Sequence, residues 1–227
     1  MIEVDRVTVR TPEGRALLQE VSLTIEPGRT AIIGANGSGK TTLVRLLNGL
    51  ATPSEGAVSV DGRDTVSARR DVQRRVGFVF QQADHQLVSP TPAEDVALGL
   101  RARGIRRREA MEHAAAALAR FDLAHVADQA IHTLSGGEKH LVAMAGVLAL
   151  KPDWMVLDEP TTSLDLVNRR RVLAALGAVD QHLVVVSHDL DLVREMDRAV
   201  LVDSGRVRCV GDPAEVIGTY LALMEGR

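Results

Sequence analysis

The sequence predicts one α/β domain built on a parallel sheet, with half-exposed antiparallel strands at its start and a helical insert. Three observations predict it. "GANGSGKT", Gly34 to Thr41, lies between a short apolar strand and a helix. "WMVLDE" and "LVVVSH" are strongly apolar strands that each end in polar residues, as central parallel strands with chemistry at their C-terminal edge do. From about residue 83 to about 130 the texture changes to alanine, arginine and leucine at helical spacing, with no convincing strand.

Taken in order, "IEVDRVTV" and "EVSLTI" alternate with period two and read as antiparallel strands with one face in water. "TAIIG" is a buried strand that runs into the glycine-rich loop. In the helix that follows, Leu43, Leu46, Leu47 and Leu50 share one face. "VGFVF" is another strand, and "RRREAMEHAAAALARF" is a helix of the insert. "RAVLVDSGRVRCVG" reads as a hairpin turning at Ser204-Gly205, and Asp212-Pro213 as the N-cap and first turn of a closing helix.

At 227 residues, 45% hydrophobic and 25% charged, the chain suits one substantial globular domain. A net charge of −3 gives no electrostatic basis for a nucleic-acid partner. Cys209, the single cysteine, excludes an internal disulfide and fits a reducing compartment. The first residues mix charged and apolar side chains without the apolar stretch of a secretion signal, so the chain is expected to stay inside. The longest apolar run, Leu141 to Leu150, is about half of what a membrane span needs, so any membrane role must come through a partner.

"GANGSGKT" matches the phosphate-binding loop pattern, with the flanking strand and helix that pattern requires. The candidate nucleotide-binding residues are Gly34, Asn36, Gly37, Ser38, Gly39, Lys40, Thr41 and Thr42. N–H groups from Asn36 to Thr41 would wrap a β-phosphate, Lys40 would bridge β and γ oxygens, and the Thr41 hydroxyl would ligate Mg²⁺. Adjacent carboxylates at the end of an apolar strand are costly unless a cation or a proton transfer employs them. Asp158 therefore reads as a metal-side carboxylate and Glu159 as the group that polarises the attacking water.

His188, after "LVVVS", stands at the same sheet edge as a candidate for the γ-phosphate side, and Gln81, just beyond "VGFVF", has an amide able to touch both Mg²⁺ and water. His85, His113, His125, His132, His140 and His182 lack metal-ligand spacing and are expected to be solvated. "RARGIRRRE" reads as a solvated helix start, with contact to anionic lipid or a membrane partner as the alternative. "HTLSGGEKHLVAMAGVLAL" presents a second anion-binding junction, two glycines and a serine before a buried helix. Within it, Ser135-x-x-Glu138 fits a capping box, which assigns Glu138 to the shape of the helix start.

Together "GANGSGKT", Gln81, "LSGGE" at Leu134 to Glu138, "VLDEP", "SLD" at Ser163 to Asp165 and His188 resemble the nucleotide-binding subunit of an ABC transporter over essentially the whole chain. The resemblance implies a phosphate-loop NTPase fold of the ABC ATPase type. It divides into a RecA-like core at about 1–82 and 151–227, with an antiparallel β subdomain, and a helical subdomain at about 83–150. It implies ATP and Mg²⁺ as ligands, with Thr41, Gln81 and Asp158 on the metal and Glu159, His188 and Gln81 as catalytic residues. It also implies Asp165 as a nucleotide-binding residue, and a head-to-tail dimer in which Ser135, Gly136 and Gly137 of one copy complete the nucleotide site of the other.

"DHQLVSPTPAEDVALG" is similar to ATPases of energy-coupling-factor importers, which take up vitamins, cobalt and nickel, and "LSGGEKHLVAMAGVLAL" looks most like those of biotin transport. That similarity implies a membrane-embedded coupling protein docked around Asp84 to Val96, a separate membrane component that binds the substrate, and a place on the cytoplasmic face of the membrane. The chain departs from the family at Thr11, where an aromatic residue usually stacks on adenine; the guanidinium of Arg10 or Arg15 is the available substitute. A sister ATPase in a heterodimer, a cobalt or nickel importer, and a soluble ABC ATPase acting on nucleic acid or ribosomes are the competing readings. A non-hydrolytic subunit would lack Glu159 or His188, and both are present.

Overall fold

In a computed structural model, which describes residues 1–162 and 164–226, the chain divides into two compact units. The first comprises Met1–Val76, Val156–Asp158 and His182–Arg227; the second comprises Gly77–Met155 and Glu159–Gln181. The second unit therefore reaches beyond residues 83–150 at both ends. Ser163, the first residue of "SLD", lies outside the described residues.

An antiparallel sheet of the first unit has the order β2-β1-β4-β5, from β1 (Ile2–Arg10), β2 (Ala16–Ile25), β4 (Glu55–Val60) and β5 (Arg63–Asp64). Alternation sets its register: Val4 faces Leu23 on one side and Val58 on the other, with Glu3 and Asp5 turned to water. The register shifts between Val4 and Val7, where Arg6 takes φ 45, and beyond it Val7, Thr8 and Val9 are all buried. A β-bulge thus ends the simple period-two pattern.

The other sheet of this unit carries β3 (Arg29–Ile33) between β8 (His182–Val186) and β9 (Arg198–Asp203), both parallel to it. Strand β10 (Arg206–Gly211) pairs antiparallel with β9 through the Ser204-Gly205 turn, whose residues have φ 51 and 76, as a two-residue primed hairpin turn requires. The last residues of β7 (Trp154–Asp158) lie beside β8. Helix α1 (Lys40–Leu46) buries Leu43 and Leu46 as expected and ends on the buried C-cap Leu47, so Leu50, past its end, is 38% exposed. Helices α2 (Arg69–Arg75), α7 (Leu190–Arg194) and α8 (Pro213–Glu225) complete the unit, the last capped by Asp212 with Pro213 in its first turn.

The second unit is mainly helical: α3 (Pro92–Ala102), α4 (Arg107–Ala119), α5 (Gly136–Ala149) and α6 (Leu166–Gly177) follow β6 (Val76–Val79). Helix α5 is its centre, packed by α3, α4 and α6. Being apolar on nearly every face, it buries Leu141, Val142, Met144, Val147 and Leu148. The strand β7 begins here with the buried Trp154 and crosses into the first unit at Val156. No helix among the described residues is long and apolar enough to cross a membrane.

Candidate nucleotide-binding and hydrolysis site

The first unit gathers the phosphate loop, Asp158 and His188. Strand β3 ends at Ile33 and the chain turns through Gly34 at φ 150, where a Cβ would collide with the Val202 carbonyl oxygen of β9. Gly39, at φ 109 and immediately before α1, leaves 2.8 Å between its missing Cβ and Leu18. Only glycine fits either position, which lets the loop approach β9 at one end and β2 at the other.

Three features fit this loop to a bound triphosphate. The buried Ser38 hydroxyl has no hydrogen-bond partner among the described residues, which is uncommon for a buried polar atom and matches a donor awaiting an anion. Lys40, 5% exposed, folds its ammonium back onto the Gly34 and Ala35 carbonyl oxygens at 2.9 and 3.0 Å. Its charge is thereby held in the mouth of the loop. The Thr41 hydroxyl donates to Asp158 Oδ1 at 3.2 Å, placing a hydroxyl and a buried carboxylate on one point.

That donor pair suits magnesium, which takes few protein ligands and fills its shell with phosphate oxygens and water. Among the described residues no group of three or more His, Cys, Asp or Glu side chains forms a protein cage. Asn36 and Gly37 are exposed on the loop, Thr42 is half-buried in α1, and His188 is exposed just past β8.

Gln81, Ser135, Gly136, Gly137, Glu159 and Asp165 belong to the second unit. Glu159 takes φ 52, a left-handed conformation that costs a non-glycine residue about 1 kcal/mol, and its carboxylate accepts from the Thr162 hydroxyl at 2.7 Å. Asp165 caps α6: its two carboxylate oxygens accept from the backbone and side-chain nitrogens of Asn168 at 2.8 and 2.9 Å. A Cβ at Gly137 would collide with Asn168, so the starts of α5 and α6 meet only because residue 137 is glycine.

The capping box forms in full. The Ser135 hydroxyl donates to Glu138 Oε2 at 2.7 Å and accepts from the Glu138 N–H at 3.3 Å, while the Ser135 N–H donates to the same carboxylate oxygen at 2.8 Å. These bonds to Ser135 hold the Glu138 carboxyl below the usual glutamate range, helped by the charges of His125 and Arg171.

Two of the histidines expected to be solvated are not. His140 is 6% exposed, with Nδ1 3.1 Å from the Gly136 carbonyl oxygen and Nε2 3.0 Å from that of Gln81. His182 is half-buried and its Nδ1 accepts from the Gly28 N–H at 3.2 Å. The fold supplies backbone partners for both rings, and a buried polar ring with partners carries little penalty. The usable signal for His140 was its place on a helix that is otherwise apolar all round.

A family model described as "ABC transporter" matches residues 18–162. The chain is 43% identical over 208 residues to a putative ABC transporter ATP-binding protein of Bartonella henselae, covering 92% of each. It is 36% identical to the biotin transport ATP-binding protein BioM of Rhodobacter capsulatus over 99% of this chain and 95% of that one. With the cobalt import ATP-binding protein CbiO of Syntrophus aciditrophicus the figures are 40%, 91% and 76%. Among solved structures, cbiO1 from Clostridium perfringens, part of the ABC transporter complex cbiONQ, superposes with a TM-score of 0.84 at 30% identity over 97% of this chain and 92% of that one. A dimeric bacterial ABC transporter cassette superposes with a TM-score of 0.84 at 28% identity over 94% and 99%. With the antiparallel sheet, the phosphate loop and the capped "LSGGE" helix in place, the chain belongs to the ABC transporter family, as an ATP-hydrolysing subunit close to those of energy-coupling-factor importers.

Proposed function

We propose that the chain energises a biotin importer of the energy-coupling-factor type, working as a head-to-tail homodimer on the cytoplasmic face of the membrane. The single observation that carries the hydrolytic part is the Thr41–Asp158 pair beside the buried, unpartnered Ser38 hydroxyl, a cation and phosphate site in one loop. Lys40 and the loop N–H groups bind the β- and γ-phosphates. Magnesium, when bound, supplies charge neutralisation at the phosphates, with Thr41, Asp158 and Gln81 as its ligands from this chain. Glu159 orients and polarises the attacking water and His188 holds the γ-phosphate side. Ser135, Gly136 and Gly137 complete the site of the second copy, and Asp165 takes part in holding nucleotide.

Biotin is preferred because "LSGGEKHLVAMAGVLAL" looks most like the ATPases of biotin transport, and the match to BioM spans 99% of this chain and 95% of that one. A membrane-embedded coupling protein would take up the motion around residues 84–96, and a separate membrane component would bind the vitamin. Purification of the chain with its native membrane partners, followed by mass spectrometry of the retained small molecule, tests this. Biotin is expected; cobalt or nickel would overturn the substrate and leave the ATPase standing. Glu159→Gln is expected to keep ATP binding, abolish turnover and trap a dimer, and full turnover in that variant would remove the role given to Glu159.

A further inference from the structure

We infer that Glu138 is a positioning residue that withholds the Ser135 proton from nucleotide and so sets how much ATP is needed to close two copies. The inference rests on the two-copy reading above, and its observations are the short bonds inside the capping box.

A serine hydroxyl has one proton to give. Here it goes to Glu138 Oε2 at 2.7 Å, a charge-assisted bond of the strong class. What Ser135 then turns outward is a lone pair, and one of its acceptor positions is already taken by the Glu138 N–H. A phosphate oxygen approaching this exposed serine meets an acceptor where it needs a donor. To bond the phosphate, the hydroxyl must first leave the carboxylate.

The carboxylate is itself held in position. Its Oε2 also accepts the Ser135 N–H at 2.8 Å, His125 Nε2 stands 3.7 Å from Oε1, and the Arg171 charge acts on it. The Glu138 side chain is 19% exposed, so water only partly weakens these bonds. Among the described residues the Glu138 carboxylate bonds Ser135 and neither Gly136 nor Gly137, so part of the anion site stays open while its hydroxyl is occupied. An amide at position 138 would keep the box closed, because the motif accepts glutamine. Its bond to the hydroxyl would be neutral and about half as strong, leaving the proton free to move to phosphate.

The test uses the full chain in the Glu159→Gln background, with light scattering on a sizing column to follow dimer formation as Mg-ATP is raised at fixed protein concentration. Glu138→Gln is expected to lower the ATP concentration at half-dimerisation by roughly three- to tenfold. Adding Ser135→Ala is expected to abolish that shift, since no hydroxyl proton is left to compete for. A midpoint unchanged or raised by Glu138→Gln overturns the inference, because a residue that only caps the helix would not ease closure. The same shift in the presence and absence of Ser135→Ala also overturns it, since loss of negative charge alone would then account for the effect. If the Glu159→Gln parent forms no dimer at any ATP concentration, the two-copy reading falls and the inference with it.

Discussion

His140 Nε2 lies 3.0 Å from the carbonyl oxygen of Gln81 while its Nδ1 lies 3.1 Å from that of Gly136, so one imidazole joins the loop of Gln81 to the first turn of α5. Both partners are acceptors, and a neutral ring donates to one at a time. His140→Ala removes the bridge and the ring volume together. A loss of about 2–3 kcal/mol in denaturant unfolding is expected. His140→Gln, which keeps an amide donor, is expected to recover part of that stability. In steady-state ATPase assays the alanine variant should lose kcat more than it raises KM, because Gln81 is displaced while the loop that holds nucleotide is intact.

Gly34 and Gly37 differ in a way that separates crowding from backbone strain. Both have positive φ, but a Cβ at Gly34 would collide with the Val202 carbonyl oxygen, whereas nothing lies within 4 Å of one at Gly37. Gly37→Ala is expected to cost about 1 kcal/mol of stability. Gly34→Ala should cost clearly more and abolish the rise in melting temperature on adding Mg-ATP. Paired thermal melts with and without nucleotide check both.

The capping box gives a pH signature. Because Ser135 holds the Glu138 carboxyl below its ordinary value of 4.5, the ionised form is favoured by folding. The stability it contributes is complete above the ordinary value and disappears as pH falls through the lowered one. Glu138→Gln is therefore expected to be less stable than the parent by about 1 kcal/mol at neutral pH, a difference that shrinks on acidification below 4.5. Unfolding curves of the two chains between neutral and acid pH measure it.

Thr11 occupies the turn after β1, with its N–H bonded to the Arg15 carbonyl oxygen at 2.8 Å. Arg10 is 3.8 Å from Glu55 Oε1, an ion pair that engages one of the two guanidiniums available for stacking on a base. Thr11→Tyr adds an aromatic face, and tighter ATP binding by roughly fivefold is expected from about 1 kcal/mol of stacking. Titration with ATP and GTP decides: unchanged affinity and an unchanged ATP/GTP ratio would mean that stacking is not what this position lacks.

How far the sequence carried depended on whether a signal was local. Strands β3, β7 and β8 were readable because each is a short apolar run next to turn or polar residues, and buried parallel strands need no alternation. Strand β4 was not. Glu55, Gly56 and Ala57 are exposed and only Val58 and Val60 are buried, so its identity comes from pairing with β1 some fifty residues earlier. Helix α2 was missed for a similar reason, being arginine-rich with only Val72 buried. In the site, the phosphate loop and the capping box are local motifs with fixed spacing and were readable residue by residue. The partners of His140 were not, since the Gln81 carbonyl comes from 59 positions away. Nor was the left-handed backbone at Glu159, because only the tertiary fold imposes it.

Trp154 begins the strand that ends in Asp158; it is fully buried and is the chain's single tryptophan. The protein therefore has one indole emitter, buried, on the strand that delivers the carboxylate to the phosphate loop. Its emission is a label-free signal that can be followed while Mg-ATP is added.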